Sequence, residues 1–490
     1  MRLPTPTRRL ALALLLTLAA GGPLAAQKEA PPAPGTPKDF RLPPRRTITL
    51  PSGMRVSFIH YGTVPKVALS LELATGGIDE SPREVQLSGL TARMLVEGTA
   101  TRTAEQISQE AAAMGGSLDA GAGDDALTVG GEVLSEHGPR FVALMADVVR
   151  RPRFAAADVA RLRDNIARDN AIALSQPGQL VRSRFRALLF GDHPYGRVFA
   201  SDAMLAGYDS AAVRRFYAKN VGARRAHLYV SGVFNEAQVE RAIRSAFAGW
   251  AAGPAPTVNP PSVADRAQVE LIDRPDAVQS SLRVGLAVPD PTSPDWVRLA
   301  VTDQILGGAF GSRITSNIRE DKGYTYSPFS FLGSWPKVGT WIEVADVTTN
   351  VTGASLKEIF GEVDRLRTEA PSQRELDGIK QNMAGVFTLQ NSSRFGLIGQ
   401  LQFVDQHGLG DGYISSYVRN VMAVTPEEVQ RTAKRYLDPS RMTIMVVGDK
   451  KTVEEQLAPY RAATPDKPPD AEWKGGPDLR PALHLFRPAA

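Results

Sequence analysis

Cysteine is absent from all 490 residues. That excludes disulfides, a lipidated cysteine, a thiolate metal site and a cysteine nucleophile. Histidine is scarce. The six histidines are His60, His137, His193, His227, His407 and His484. None forms an i, i+4 pair, so their spacing spells no metal motif. Positive charge is nowhere massed: the formal net charge is +5 and Lys and Arg are scattered, which leaves no footprint for nucleic acid. Long apolar runs are missing as well. The run from Leu10 to Ala20 falls short of the ~20 residues a transmembrane helix needs, so the mature chain is expected to carry no membrane span. Phosphate-binding loops are not found either. GAFGS at 308–312 has no P-loop lysine and lacks the strand–turn–helix setting of a dinucleotide site.

The N-terminus carries a targeting pattern. Arg2, Arg8 and Arg9 precede the apolar run, and GGPLAAQ follows it. A positive segment, a short apolar core and a small-residue cleavage site read as a signal peptide over 1–26, cut near Ala26. An uncleaved anchor is the alternative. The expected location is the bacterial periplasm, or outside the cell. Residues 27–45 are Pro-rich and expected to form a mobile arm. A second Pro- and Gly-rich break at 251–266 divides the rest into two halves, 46–250 and 267–465, and a Pro-rich tail occupies 466–490.

The halves read as a diverged repeat. VSFIHYGTVPKVALSLELATGG in the first parallels VELIDRPDAVQSSLRVGLAVPD in the second. Each is a strand, a polar turn and a longer strand. Residues 154–171 parallel 371–388, and 210–232 parallel 425–449. Val213 and Val429 are 216 residues apart, as are Gly232 and Gly448. Segments mixed in this way predict an α+β fold: two related halves, each a mostly antiparallel sheet with helices on one face, closing as a clam shell on a central cavity.

One stretch raises a sharper question. In LSGLTARMLVEGT (87–99), Leu87, Leu90, Met94 and Leu95 fall on one helical face. Its ending, MLVEGT, together with LPSGMRV at 50–56, HPYGR at 193–197 and LGGAFGSRITSNIREDKGYTYS at 306–327, resembles the insulinase/pitrilysin-like metallopeptidases. That family includes the mitochondrial processing peptidase and the core proteins of the cytochrome bc1 complex. Active members hold zinc through two histidines of an HxxEH helix and a glutamate from a later helix, with the motif's own glutamate as general base.

Aligned on MLVEGT, the HxxEH slot falls on Gly89-Leu90-Thr91-Ala92-Arg93 and the distal glutamate slot near Asp169. Glycine has no donor atom, arginine has no lone pair for a metal, and alanine moves no proton. The resemblance therefore implies a degenerate zinc motif at Gly89, Ala92, Arg93 and Asp169, with no catalytic residue and no metal in this chain. It also implies that Arg319 and Tyr326, seven residues apart, match the family's substrate-binding Arg-Tyr pair. The alternative for those two is a helix-end arginine paired with Glu320 and a strand-packed tyrosine. The glycines of LGGAFGS are expected to let an extended peptide approach the backbone. His193 reads as a loop histidine held by backbone groups, His227 as a strand packing residue, and Asp119, Asp124 and Asp125 as residues of a turn between strands.

Some relatives of this kind work as two chains, one bearing HxxEH and the other the Arg-Tyr pair. The expected function is thus a non-catalytic, substrate-binding subunit of a zinc-peptidase heterodimer. Its partners would be an HxxEH-bearing homologue that holds the zinc and an extended peptide substrate. Two rival readings are a structural or peptide-binding homologue without a peptidase partner, and an autonomous metallopeptidase with an unorthodox metal site.

Overall fold

The computed structural model describes residues 35–264 and 266–462. The segment read as a signal peptide and the Pro-rich tail lie outside the described residues. Contacts divide the chain into two units, Met1–Pro37 and Lys38–Ala490. All the described strands and helices belong to the second unit.

Two sheets carry the architecture. The first is built from β1 (Arg45–Thr49), β2 (Arg55–His60), β3 (Lys66–Leu73), β4 (Asp119–Ala122), β5 (Leu127–Leu134) and β6 (Ala226–Gly232), in the order β1-β2-β6-β3-β5-β4. The second is built from β7 (Gln268–Asp273), β8 (Gln279–Val288), β9 (Phe329–Trp335), β10 (Val338–Thr348) and β11 (Thr443–Gly448), in the order β7-β11-β8-β10-β9. Without β1 the two orders coincide strand for strand. Each sheet has one parallel pair at the equivalent place, β2 with β6 and β7 with β11, and antiparallel pairs elsewhere. The repeat read from the sequence is thus a repeat of topology, and the fold class is the α+β class expected.

Alternation along the strands explains the layers. In β3, Val67, Leu69, Leu71 and Leu73 enter the core of the first half, with Val56 and Phe58 of β2 and Leu228 and Val230 of β6. In the second half, Leu282, Val284 and Leu286 of β8 do the same with Trp341 of β10. The opposite faces are where the halves meet, and each is also covered by a helix. Pro177–Phe190 places Leu180, Val181, Phe185, Leu189 and Phe190 against Ile342, Met445 and Val447 of the second sheet. Arg394–His407 places Leu397, Ile398, Leu401 and Val404 against Ile59, Ala68 and Tyr229 of the first. Each half lends one helix to the other's sheet, at equivalent repeat positions. Burying the five residues of the first exchanged helix contributes roughly 10 kcal/mol.

Polar contacts lock the exchange. Asp405 accepts from Tyr229 Oη and Arg45 Nη1, both at 2.8 Å. Asp124 accepts from Arg186 Nη2 at 2.9 Å and from Trp335 Nε1 at 2.8 Å. Arg394 pairs with Glu132.

The expected mobile arm needs correcting at its C-terminal end. Arg45 starts β1, pairing with β2, and Phe40 meets Phe387 edge-on at 5.9 Å. Phe40 and Leu42 both pack on the cluster around the second exchanged helix. Their apolar side chains, set among the prolines, are the reason. The 251–264 break has no regular structure. Among the described residues no helix is long and apolar enough to cross a membrane.

Candidate functional site

Helix α1 (Leu87–Leu95) packs Leu87, Leu90, Ala92, Met94 and Leu95 into the first core. It stops at Val96, and Gly98 lies two residues further on at φ +136, a backbone conformation that favours glycine. The start of α1 is secured in a way the sequence did not announce. Gln86 enters it in a left-handed conformation, φ 66. The Glu80 carboxylate accepts from Ser88 N at 2.8 Å, Ser88 Oγ at 2.6 Å and Gln86 N at 2.9 Å. A carboxylate there answers the orphan amides of the first turn. Burial nevertheless pushes Glu80 up to about 7, against the pull of these donors.

Helix α2 (Ala156–Ser175) lies against α1. Gln86 and Asn170 exchange two amide hydrogen bonds, of 3.0 and 2.7 Å. This places Asp169 beside Arg93, and Arg93 Nη1 stands 3.4 Å from Asp169 Oδ2. Both are about half exposed, so the pair is worth at most ~1 kcal/mol. Of the four positions read as the degenerate zinc motif, Arg93 and Asp169 meet as an ion pair, while Gly89 and the buried Ala92 lie on α1 beside Arg93. A Cβ built on Gly89 meets nothing within 4 Å, so packing does not forbid a side chain there. The donor set does not fit zinc: one carboxylate remains, already facing a guanidinium, which has no lone pair to offer.

His193 and His227 behave as read. His193 Nε2 bonds the Asn259 carbonyl at 2.9 Å, and its Nδ1 accepts from Tyr195 N at 3.3 Å. His227 is buried in β6 between Ser57 at 2.9 Å and Arg55 at 2.8 Å. Burial drives its pKa down to about 3. His484 lies outside the described residues. Among the described residues no three His, Cys, Asp or Glu side chains gather as a metal site. Asp124 and Asp125 sit in the β4–β5 turn, and Tyr195 Oη donates to Asp125 at 2.6 Å. HPYGR is a structural hub: besides these contacts, Arg197 Nη2 donates to the Glu80 carbonyl at 3.2 Å.

The Arg-Tyr pair is brought together. Arg319 lies in a wide helical turn over Ser316–Asp321. Gly323, at φ +65, reverses the chain, and Tyr324 N bonds the Ile318 carbonyl at 2.8 Å. Thr325 bridges to Val347 of β10, its hydroxyl donating to the Asp346 carbonyl at 2.7 Å. This geometry delivers Tyr326 to Arg319, with the guanidinium carbon 4.9 Å from the ring centroid. It also stands 4.5 Å from the ring centroid of Phe310. Tyr326 is 78% exposed and Phe310 74%. Arg319 also meets Glu320 at 3.1 Å. The alternative reading is thus right about Glu320, whereas Tyr326 precedes β9 and does not pack within it. Sequence reasoning missed Phe310; an aromatic between the glycines of GGAFGS is the signal that could have found it.

The glycines have a different task from the one expected. A Cβ on Gly307 would sit 2.5 Å from Glu343 Oε2, and one on Gly308 2.7 Å from Asp303 Oδ2. Gly307 is thus required by the buried Glu343 carboxylate and Ser330, and Gly308 by the Gln304 amide, at 2.3 Å from its Cβ, together with Asp303; Gly311 opens on free space. Asp303 accepts from Ser330 Oγ at 2.6 Å, while both Glu343 carboxylate oxygens are buried without a hydrogen-bond partner among the described residues. Burial pushes Asp303 up to about 6. Burial, then the neighbouring Asp303, drives Glu343 well above the usual range.

Comparison with known proteins agrees with the family resemblance and with the fold. Residues 55–202 match the profile of insulinase (peptidase family M16), and 208–383 that of the peptidase M16 inactive domain. Proteins of Mycobacterium bovis and Mycobacterium tuberculosis, each described as an uncharacterised zinc protease, are 28% identical over 434 residues, 85% of this chain and 96% of theirs. The crystal structure of a peptidase M16 inactive domain from Pseudomonas fluorescens is 25% identical. It superposes with a TM-score of 0.77 over 83% of this chain and 98% of its own. A protease from Helicobacter pylori, at 17% identity, shares the fold with the same score, over 83% of this chain and 100% of its own.

Proposed function

Since the chain belongs to the insulinase (M16) peptidase family, we propose that it is the non-catalytic, substrate-binding subunit of a zinc peptidase whose HxxEH helix lies on a homologous companion chain. The observation that carries this is a contrast. The zinc slot holds Gly89, Ala92 and an Arg93–Asp169 pair. The residues read as the Arg-Tyr pair are in contact, with the Arg319 guanidinium near the exposed rings of both Phe310 and Tyr326.

The chemistry available to these residues is binding and positioning. A guanidinium offers a fork of donors to peptide carbonyls. The two rings near it limit its freedom, so less entropy is lost when a substrate arrives. The Tyr326 hydroxyl can donate to a carbonyl oxygen as negative charge develops on it. Holding an extended peptide across the companion's reacting centre accelerates its chemistry through orientation. Zinc belongs to the companion in this reading, and the present chain takes none. The reaction is placed in the periplasm, after removal of residues 1–26.

Reconstitution tests the reading. This chain and a neighbour-encoded HxxEH homologue are purified separately, then mixed. Peptide cleavage should require the companion, rise on mixing, and fall with Arg319→Ala. A companion fully active by itself and indifferent to this chain would leave the structural, partnerless reading in its place.

A further inference from the structure

Where the exchanged helix α3 (Pro177–Phe190) packs on β8, two arginines of the helix and one of the strand lie close enough for their charges to act on one another. Arg182 and Arg186 come from one half and Arg283 from the other. Arg186 has its counter-ion, Asp124, at 2.9 Å, and also donates to the Tyr195 carbonyl at 2.6 Å. Asp124 is shared with Trp335. Arg182 has only a neutral partner, Gln179 at 3.3 Å. Arg283 Nε is buried with no hydrogen-bond partner among the described residues. The nearby Asp125 is engaged by Tyr195, and burial pushes it up to about 6. Arg186 is thus satisfied by Asp124 and the Tyr195 carbonyl, whereas among the described residues Arg182 and Arg283 have no carboxylate within hydrogen-bond reach. The mutual repulsion of the three guanidiniums registers: burial first, then Arg182 and Arg186, lower Arg283 to about 10. Buried charge without a counter-ion is costly, and folded proteins keep it where a ligand supplies the partner.

Location narrows the ligand. Thr325, next to Tyr326, bridges to Val347, which pairs with Ser280. Two strand spacings of about 4.8 Å and three residues of about 3.3 Å separate Thr325 from Arg283, on the order of 14 Å. That is the span of about four extended residues. The sheet between them is partly accessible: Asp346, which accepts from Ser281, is exposed, and Val344 and Phe331 at the edge of the exchanged helix's cluster are partly covered.

We propose that Arg182, Arg186 and Arg283 form a carboxylate-binding subsite that receives an acidic group of an extended peptide, about four residues from the part held by Arg319 and Tyr326. A planar fork of donors suits a carboxylate better than any other peptide group. The carboxylate comes from a C-terminus or from an Asp or Glu side chain. The inference rests on the peptide-binding reading above and specifies its substrate class.

Fluorescence anisotropy with the full chain tests it. The probes are labelled ten-residue Ala/Thr peptides: a free acid, its C-terminal amide, and amides carrying one internal Glu or Gln. The free acid or the Glu peptide should bind about ten- to a hundredfold more tightly than its neutral counterpart, and which of the two does so identifies the source. Arg283→Met and Arg182→Met should abolish that preference while leaving binding of the neutral peptides unchanged. Arg283→Met removes an unpaired buried charge, so its melting temperature should hold or rise. Equal binding of acidic and neutral peptides, or a preference that survives both substitutions, overturns the subsite alone. If no peptide binds, the peptide-binding reading falls, and the subsite with it.

Discussion

Glu343→Gln should make the protein more stable at pH 8 and change little at pH 5. The reasoning starts from burial. Glu343 stands beside Asp303 with both carboxylate oxygens unpaired among the described residues, and Asp303 is held at about 6 against an ordinary value of 3.8. A raised folded-state pKa means that the native state binds more protons than the unfolded chain between the two values. Stability from such a group is complete below the unfolded pKa and is lost as pH rises through the folded one. For Asp303 the shift of about two units corresponds to about 3 kcal/mol, lost between about pH 4 and 6. Glu343 adds to it, in the same direction. Glutamine keeps the shape and cannot ionise. Melting temperature from pH 5 to 8 reads the effect. At about 1 kcal/mol per 2–4 °C, the variant should melt roughly 5 °C higher than the wild type at pH 8, with the curves converging toward pH 5. Parallel curves at every pH would refute the argument. Because Gly307 and Gly308 rest on these carboxylates, the same measurement reports on the turn that leads to Phe310.

Other substitutions separate scaffold from site. Gly307→Ala should destabilise by about 2–3 kcal/mol, since its Cβ meets Glu343 Oε2 at 2.5 Å; chemical denaturation checks this. Arg93→Ala should shift stability by less than about 1 kcal/mol and leave companion-dependent cleavage unchanged. Phe310→Ala should leave the melting temperature within about 1 °C, as the ring is 74% exposed, yet raise KM of the reconstituted pair several-fold by freeing Arg319. Gly89→His with Arg93→His should produce chelator-sensitive zinc binding near Asp169, measured by calorimetry, because the space beside Gly89 is open.

Legibility in the sequence depends on the range of each interaction. The repeat, the apolar face of α1 and the exclusion of zinc ligands are local patterns, and period and residue chemistry carry them. The Arg319–Tyr326 contact is legible only as a spacing that resembles a family. The turn at Gly323 and the Thr325–Val347 bridge are what make seven residues into one contact. The helix exchange between halves is not legible, because Pro177–Phe190 shows only that it has an apolar face, not which sheet receives it. Glu80 as the cap of α1 is hidden for a related reason: it lies eight residues before Ser88, outside any capping-box spacing. The arm at 27–45 misleads at its end because proline content outweighs Phe40 and Leu42. The glycines of LGGAFGS suggest a substrate contact, when side chains packed against Gly307 and Gly308, one of them some 40 residues away in sequence, require them.

The central claim is that this chain supplies binding and positioning, and none of the bond-breaking chemistry. The most direct measurement is kcat/KM for peptide cleavage by the HxxEH companion, titrated with wild-type chain and with Arg319→Ala. The account predicts saturable activation by the wild type and a loss of about ten- to a hundredfold with the variant, from charge-assisted hydrogen bonds of about 1.5–3 kcal/mol. The melting temperature should be unchanged, and chain without companion should be inactive. Equal activation by both proteins, or chelator-sensitive cleavage by this chain alone, would contradict it.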